Sequence, residues 1–155
     1  MPMSLRDEYS TAQPTTELNE AAIMAFLDWS DDLTTGHTGI DSDHKHLVEL
    51  VNSLYQAMKA GKGNDVLGHI LNELIVYTAN HFAREEALMR KISYAKYDEH
   101  KAEHAKLVAT VQDLQTKFNA GATTLSVNVF HFLSDWLRNH IRHSDAQLGL
   151  AARGK

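Results

Sequence analysis

His81 and Glu85 stand four residues apart inside the longest apolar-periodic run of the sequence. An α-helix advances about 100° and about 1.5 Å per residue, so residues four apart project from one face, about 6 Å apart along the axis. An imidazole and a carboxylate at this spacing can converge on one metal ion. Because both face a predicted core, where unpaired polar groups are costly, the pair is a candidate for metal ligation. The residues in register with the pair are otherwise mostly apolar: Leu67, Leu71, Leu74, Thr78, Leu88 and Ile92.

The three other predicted helices also carry candidate ligands on their apolar sides. A single histidine in such a position is more often a core imidazole bonded to a backbone carbonyl. Several imidazoles and carboxylates in one core are different, because leaving them unpartnered would cost more free energy than a folded domain has in reserve. A metal centre satisfies such groups together, and bundles build metal sites from inward side chains of facing helices. The further candidates are His44 on the first helix, His100 and His104 on the third, and His140 with Asp145 on the fourth.

The type and number of these ligands narrow the choice of metal. The sequence has no cysteine, which excludes disulfides, zinc-thiolate sites and iron–sulfur clusters. Imidazole with carboxylate suits iron, zinc or copper better than calcium or magnesium. Seven ligands exceed what one tetrahedral zinc ion takes, so two ions are expected. If two carboxylates bridge them and each imidazole binds one ion, a further bridging oxygen gives coordination numbers of six and five, which leaves one open position.

Composition limits the other classes of function. A chain of 155 residues fits one domain, and its net charge of −5, with both signs interspersed, argues against nucleic-acid binding. The apolar N-terminal segment Ala21 to Leu27 is too short to span a membrane. We therefore expect a cytoplasmic protein without membrane insertion.

The sequence predicts an all-α fold, an up-down-up-down antiparallel four-helix bundle with an extended N-terminal arm. Residues 1–28 form the arm, which is polar and partly irregular and is a candidate contact for a protein partner. Residues 29–151 form the bundle. The first helix follows Asp41 or Ser42 as N-cap and ends near Ala60; the second follows Asn64 or Asp65 and ends near Ile92; the third runs from Tyr97 to about Asn119; the fourth runs from about Leu125 to Leu150.

Helical phase also predicts which residues near the candidate ligands face the core. The predicted buried side of the fourth helix comprises Val129, Phe132, Leu133, Trp136, His140, Ile141 and Leu148. Asp145 is about 140° out of phase with His140 on a regular helix, so periodicity alone does not choose it over Ser144. Glu86 points about 100° away from Glu85 and is excluded as a ligand. The histidines assigned outside the ligand set are His37, His46, His69, His131 and His143, of which His143 stands nearest in phase to His140.

Four segments in this order and spacing resemble the signature of the hemerythrin family, in its bacterial branch. They are Ile40 to Lys45, His81 to Glu86, His100 to His104 and Trp136 to Asp145, and the resemblance extends over about Trp29 to Leu148. Myohemerythrin has the up-down-up-down bundle topology, so this topology is partly implied by the resemblance. The resemblance assigns His100, His104 and His140 to one iron, His44 and His81 to the other, and Glu85 and Asp145 as bridging carboxylates.

The resemblance also implies a function. In hemerythrins a pair of iron ions (Fe²⁺/Fe³⁺) with a bridging oxo or hydroxo group binds O₂ at the five-coordinate iron. We therefore expect reversible O₂ binding for oxygen transport, storage or delivery, and a binding protein rather than an enzyme. The alternatives are an O₂- or redox-sensing module acting through a partner protein, and diiron oxidase, peroxide or nitric oxide chemistry. Apolar groups that keep water from the bound ligand are expected at Phe82, Trp136, Leu137 and Ile141.

Overall fold

The computed structural model describes residues 27–154, which form four helical rods joined by short connections. The rods are α1 (Thr38–Lys59), α2 (Asn64–Lys91), α3 (Tyr97–Asn119) and a fourth made of three parts. This fourth rod starts as α4 (Val127–Asn139), continues through a π-helical segment (His140–Asp145) and ends as α5 (Ala146–Arg153). The predicted all-α four-helix bundle is confirmed, and the described residues contain no strand.

Glycines end two of the rods where the sequence predicts it. Gly61 follows α1 with φ 73°, and Gly121 follows α3 with φ 75°, a backbone conformation that residues with a Cβ rarely adopt. The N-caps differ from the prediction. α1 is capped by His37, whose Nδ1 accepts from the Ile40 amide at 3.2 Å, and α2 is capped by Gly63. Sequence reasoning missed His37 because histidine is not among the residues usually found at N-caps, which are Ser, Thr, Asp and Asn.

The predicted cap Asp41 has another role, in fixing the segment before α1. We call residues 27–37, which include a short 3₁₀ turn (Asp31–Leu33), the strap. Asp41 Oδ1 accepts from the backbone N–H and the hydroxyl of Thr35, at 2.8 and 2.7 Å. Leu27 and Leu33 are fully buried, and Asn52 pairs with both the N–H and the C=O of Leu27. The strap is therefore part of the packed domain.

The core fills the bundle between the four rods. On α4 the buried aromatic residue is Phe130, which is fully buried and packs its ring edge-on against Tyr55 at 5.2 Å. The prediction that Phe132 is buried was wrong, since this side chain is 44% exposed. Periodicity allowed either stripe on α4, and the position of α1 selects the one containing Phe130. The core residues of the rods include Leu47, Val51, Leu54, Leu71, Leu74, Ile75, Leu107, Val111, Phe118, Phe130 and Leu133.

Two sequence predictions extend beyond what the structure describes. The N-terminal arm, predicted for residues 1–28, lies outside the described residues except for its last two positions. The division at residue 29 therefore stays a prediction. Among the described helices, none combines the length and the apolar character needed to cross a membrane.

Candidate metal centre

All seven predicted ligands meet at one level of the bundle and are almost completely buried. Each rod contributes: α1 supplies His44, α2 supplies His81 and Glu85, α3 supplies His100 and His104, and the π-helical segment supplies His140 and Asp145. The largest exposed fraction among them is 5%, for His140. Charged and polar residues at this depth require partners, so their gathering is itself an indication of a site.

The seven side chains fall into two overlapping groups suited to two metal ions. One group is Glu85, His100, His104, His140 and Asp145, and the other is His44, His81, Glu85 and Asp145. Within each group the candidate ligand atoms lie within 4.8 Å of one another, and both carboxylates belong to both groups. This division matches the one that the resemblance implies, although metal ligation by these residues stays a prediction.

The two oxygens of Glu85 face different groups of histidines. Oε1 lies 3.0 Å from His104 Nε2 and 3.2 Å from His100 Nε2, whereas Oε2 lies 2.9 Å from His81 Nε2. Such a carboxylate can place one oxygen on each of two cations.

Asp145 divides its oxygens in the same way. Oδ1 lies 2.9 Å from His100 Nε2 and 3.1 Å from His140 Nε2, whereas Oδ2 lies 2.8 Å from His44 Nε2. The three-histidine group (His100, His104, His140) and the two-histidine group (His44, His81) are therefore each served by one oxygen of each carboxylate.

Several of these close atoms are not hydrogen-bonded, which tests whether a metal fits. Nε2 of His44 and of His81, Oε2 of Glu85 and both oxygens of Asp145 are buried without a hydrogen-bond partner. The N···O separations are short, but the lone pairs do not meet in hydrogen-bonding geometry. His104 Nε2 and His140 Nε2 also face each other at 3.2 Å, where both cannot donate. Metal ions would satisfy all these atoms together, so the donor set fits a two-metal centre.

Opposite charges outweigh burial in setting the protonation of the centre. Burial disfavours charge on His44, yet the carboxylates of Asp145 and Glu85 raise its pKa to about 9, and the pKa of His100 is raised to about 9 in the same way. Burial works against ionisation of Glu85 and Asp145, but the surrounding imidazoles hold the pKa of both well below its usual range. Without metal the buried carboxylates are balanced by protons on imidazole, and metal cations would replace those protons.

The π-helical segment explains why Asp145 rather than Ser144 faces the centre. Its turns are closed by i→i+5 hydrogen bonds, so residues five apart come to lie on one face. His140 and Asp145 are at that spacing and both point inward. Ser144 turns aside, and its hydroxyl donates to Glu103 Oε1 at 2.7 Å.

Sequence reasoning missed three carboxylates that bind the outer nitrogens of the histidines. His81 Nδ1 lies 2.8 Å from Asp43, His104 Nδ1 lies 2.9 Å from Glu86, and His140 Nδ1 lies 2.7 Å from Glu103. We call Asp43, Glu86 and Glu103 the outer carboxylates. Each is the immediate sequence neighbour of a candidate ligand, which is a signal that the sequence contains; helical phase was applied only to Glu86, which it excluded as a ligand. Glu86 is indeed not among the metal-facing groups, but it is only 18% exposed.

The histidines assigned outside the ligand set stay outside it. His46, His69, His131 and His143 are exposed, and His37 caps α1. The imidazole of His143 hydrogen-bonds the carbonyl of Asn139 in its own helix at 3.1 Å. This hydrogen bond does not involve any of the candidate ligands.

The four residues predicted to line an O₂ pocket occupy three different settings. Phe82 stacks on the His104 ring, with ring centroids 3.7 Å apart and an interplanar angle of 5°. Trp136 stacks on the His140 ring, with centroids 4.5 Å apart and an interplanar angle of 17°. Leu137 lines an apolar cavity, and Ile141 is buried without lining it. Their role as an O₂ pocket stays a prediction.

The apolar cavity lies in the bundle, and three residues of its lining are about one helical turn from candidate ligands. Its volume is about 30 Å³, and its lining includes Leu47, Thr78 and Leu107, which follow or precede His44, His81 and His104 by three residues. The only hydroxyl in the lining, that of Thr78, already donates to the Leu74 carbonyl at 2.7 Å. Because a buried water needs two to four polar partners, a cavity with this lining is expected to stay dry. The full lining is Leu47, Val51, Leu71, Leu74, Ile75, Thr78, Leu107, Val111, Leu114, Leu133 and Leu137.

Comparisons with known proteins agree with this geometry. The family model described as "Hemerythrin HHE cation binding domain" matches residues 35–150. Bacteriohemerythrin from Pseudomonas aeruginosa (strain PAO1) is 40% identical over 123 residues, which cover 79% of each chain. Bacteriohemerythrin from Methylococcus capsulatus (strain Bath) is 38% identical over 127 residues, 81% of this chain and 96% of the relative. A crystal structure of wild-type hemerythrin superposes with a TM-score of 0.75 at 37% identity, covering 81% of this chain and 97% of the other.

Proposed function

The chain belongs to the hemerythrin family, and from this membership we propose that it binds O₂ reversibly at a non-haem diiron centre, for oxygen transport, storage or delivery. Membership of this family supports an O₂-binding non-haem iron protein. The reversible carrier role is the proposal. The observation that carries it is the pair of ligand groups of unequal size that share Glu85 and Asp145.

The unequal groups would give the two irons different numbers of protein ligands. His100, His104 and His140 would hold one iron, and His44 and His81 the other, with Glu85 and Asp145 bridging both. An iron held by the two-histidine group would have one protein ligand fewer, so the open coordination position would fall there. Two ferrous ions held by these residues would supply the electrons needed for reversible O₂ binding.

The surrounding residues favour reversible binding because they exclude water. Release of O₂ unchanged requires that water and protons be kept from the bound ligand, since either would leave an oxidised, inactive site. The cavity beside the centre is lined by aliphatic side chains, and its one hydroxyl is engaged. Phe82 and Trp136 cover the His104 and His140 rings. An apolar diatomic molecule is the kind of ligand that this cavity fits.

The ligand set supports a binding protein rather than an enzyme. Bundle enzymes that activate O₂ at two metals use mainly carboxylate ligands, arranged around Glu-x-x-His motifs. Here five imidazoles accompany two carboxylates, so the ligands bring less negative charge to the metals. Lower negative charge gives less support to highly oxidised iron.

An optical oxygen titration tests the proposal. Purified protein should contain two irons per chain, and after anaerobic reduction the addition of O₂ should produce a visible charge-transfer band that disappears on deoxygenation. A stoichiometry near one iron, or zinc in place of iron, would refute the diiron centre. A band that decays at once without reversal would refute the carrier role and favour redox sensing or catalysis.

A variant of the cavity lining sharpens this titration. Leu137→Gln places an amide beside the cavity at a half-buried position, and Arg138→Gln places the same side chain next to it in the sequence but outside the lining. We expect Leu137→Gln to keep two irons and to lose the O₂-bound form faster than the unmodified protein. Arg138→Gln should behave like the unmodified protein. Equal lifetimes in both variants would show that the apolar lining does not protect bound O₂.

A further inference from the structure

The outer carboxylates follow a regular pattern around the bundle. Asp43 on α1 binds His81 on α2, Glu86 on α2 binds His104 on α3, and Glu103 on α3 binds His140 on the fourth rod. Each carboxylate therefore comes from one rod and holds the histidine of the next rod in chain order. Each also adjoins a metal-facing residue of its own rod: His44, Glu85 and His104.

The fourth link of this pattern is missing. The corresponding carboxylate would adjoin Asp145 and reach His44 on α1, but the neighbour Ser144 donates to Glu103 instead. Among residues 27–154, His44 Nδ1 is buried and has no hydrogen-bond partner. The three-histidine group thus has two carboxylate-bonded imidazoles, whereas the two-histidine group has one.

Two of the outer carboxylates, Asp43 and Glu103, are themselves fixed by other contacts. Asp43 also accepts from Tyr77 Oη and from Arg84 Nε, each at 2.8 Å. Glu103 Oε1 accepts from Ser144 as well as from His140. A carboxylate anchored in this way holds the imidazole that it binds in one orientation and one tautomer, with hydrogen on Nδ1 and the Nε2 lone pair directed inward.

We propose that Asp43, Glu86 and Glu103 are positioning residues that orient three of the five imidazoles and lower the reduction potential of the iron that each imidazole binds. A carboxylate bonded to the outer N–H makes imidazole a stronger electron donor, and a stronger donor favours Fe³⁺ over Fe²⁺. With two such bonds against one, the three-histidine iron is the more easily oxidised of the pair. This inference rests on the proposed diiron centre.

Glu86 and Glu103 provide the test, because both are partly exposed and Asp43 has additional structural partners. Glu103→Ala removes both the hydrogen bond and the charge, whereas Glu103→Gln removes the charge and retains an oxygen that accepts from Nδ1. The same pair of changes applies to Glu86. Glu99→Gln is the matched control: it removes an equal charge one turn earlier on α3, from an exposed side chain without an ion pair to any described histidine.

Two measurements separate the two parts of the proposal. In the first, Co²⁺ binding is measured by competition with a chelator, which involves no O₂ chemistry. We expect each alanine variant to weaken Co²⁺ binding by about 10–100-fold, and the glutamine variants to recover most of it. In the second, the midpoint potential of the iron-loaded protein is measured by optical redox titration. It should rise in the glutamine variants and stay unchanged in Glu99→Gln.

The outcomes also distinguish this inference from the proposed function. If the unmodified protein binds two metals and reversibly binds O₂, but all variants match it in Co²⁺ affinity and potential, the positioning role is wrong and the diiron centre stands. A fall in potential in the glutamine variants, or an equal rise in Glu99→Gln, would refute the electronic part. If the unmodified protein fails to bind two metals, the proposed centre itself is wrong. Circular dichroism of each variant verifies that the bundle is intact.

Discussion

His140 Nε2 and Asp145 Oδ1 lie 3.1 Å apart, although the two residues are five positions apart on one rod. On a regular α-helix they would be about 140° out of phase. The π-helical segment brings them onto one face, and π-helical turns inside α-helices are frequently associated with functional sites. A local departure from regular helix geometry is thus what completes the candidate metal centre.

From this geometry we predict that moving the carboxylate from position 145 to position 144 does not preserve metal binding. In the double variant Ser144→Asp/Asp145→Ser the carboxylate is four residues after His140, the spacing that would suit a regular α-helix. Because position 144 turns toward Glu103, we expect this variant to bind metal no better than Asp145→Ser alone. Metal stoichiometry by elemental analysis checks the expectation. Recovery of two metals per chain in the double variant would show that the segment is not π-helical in solution.

Removal of one histidine from the centre should remove metal and stability together. His104→Ala should lower the metal content below two per chain and lower the Tm, because metal bound only by the folded state stabilises it. His69→Ala is the control, since this histidine is exposed on α2 and forms its ion pair with Glu73 of the same helix. Calorimetric unfolding with and without metal makes the comparison. A His104→Ala protein with unchanged Tm and full metal content would exclude His104 as a ligand.

Metal uptake should release protons at neutral pH. The pKa of His44 and of His100 is raised to about 9 in the metal-free protein, so both imidazoles are protonated at pH 7. Ligation requires the Nε2 lone pair, so these protons must leave, about two per chain. As the pH rises through 9 both imidazoles lose these protons in the metal-free protein, so the release on metal binding should decrease. Calorimetry of Zn²⁺ binding in two buffers of different ionisation enthalpy measures the number, and a value near zero at pH 7 would contradict the raised pKa values.

The close approach of the strap to the fourth rod should make Gly149 intolerant of a side chain. A Cβ at Gly149 would collide with the backbone carbonyl of Thr35, which cannot move aside as a side chain could. Gly149→Ala should therefore destabilise the protein by about 1–3 kcal/mol, as overpacked sites do. The same change at Gly68, inside α2, meets only ordinary contacts and should stabilise by about 0.5–1 kcal/mol through helix propensity. Denaturant unfolding of both variants measures the difference, and equal effects would show that the strap does not pack there.

The four rods, to within a few residues at their ends, and six of the seven candidate ligands were predictable from the sequence because helical periodicity is local. Leu47, Leu54 and His44 recur on one stripe of α1, and the spacing of His81 and Glu85 places both on one face of α2. The choice of Phe130 rather than Phe132 was not predictable in this way. Both fit a stripe of α4, and the packing of the other rods, including the contact of Phe130 with Tyr55 on α1, decides between them.

The sequence by itself determined the four helices and six of the seven side chains that meet in their core, since burying so many imidazoles and carboxylates without a common partner would unfold the domain. The tertiary structure decided how each carboxylate divides its oxygens between the two histidine groups. It also decided that Asp145 rather than Ser144 turns inward, and that Asp43, Glu86 and Glu103 reach histidines on neighbouring rods. These relationships depend on the rotation and spacing of rods distant in sequence, and on one π-helical distortion, neither of which a local period encodes.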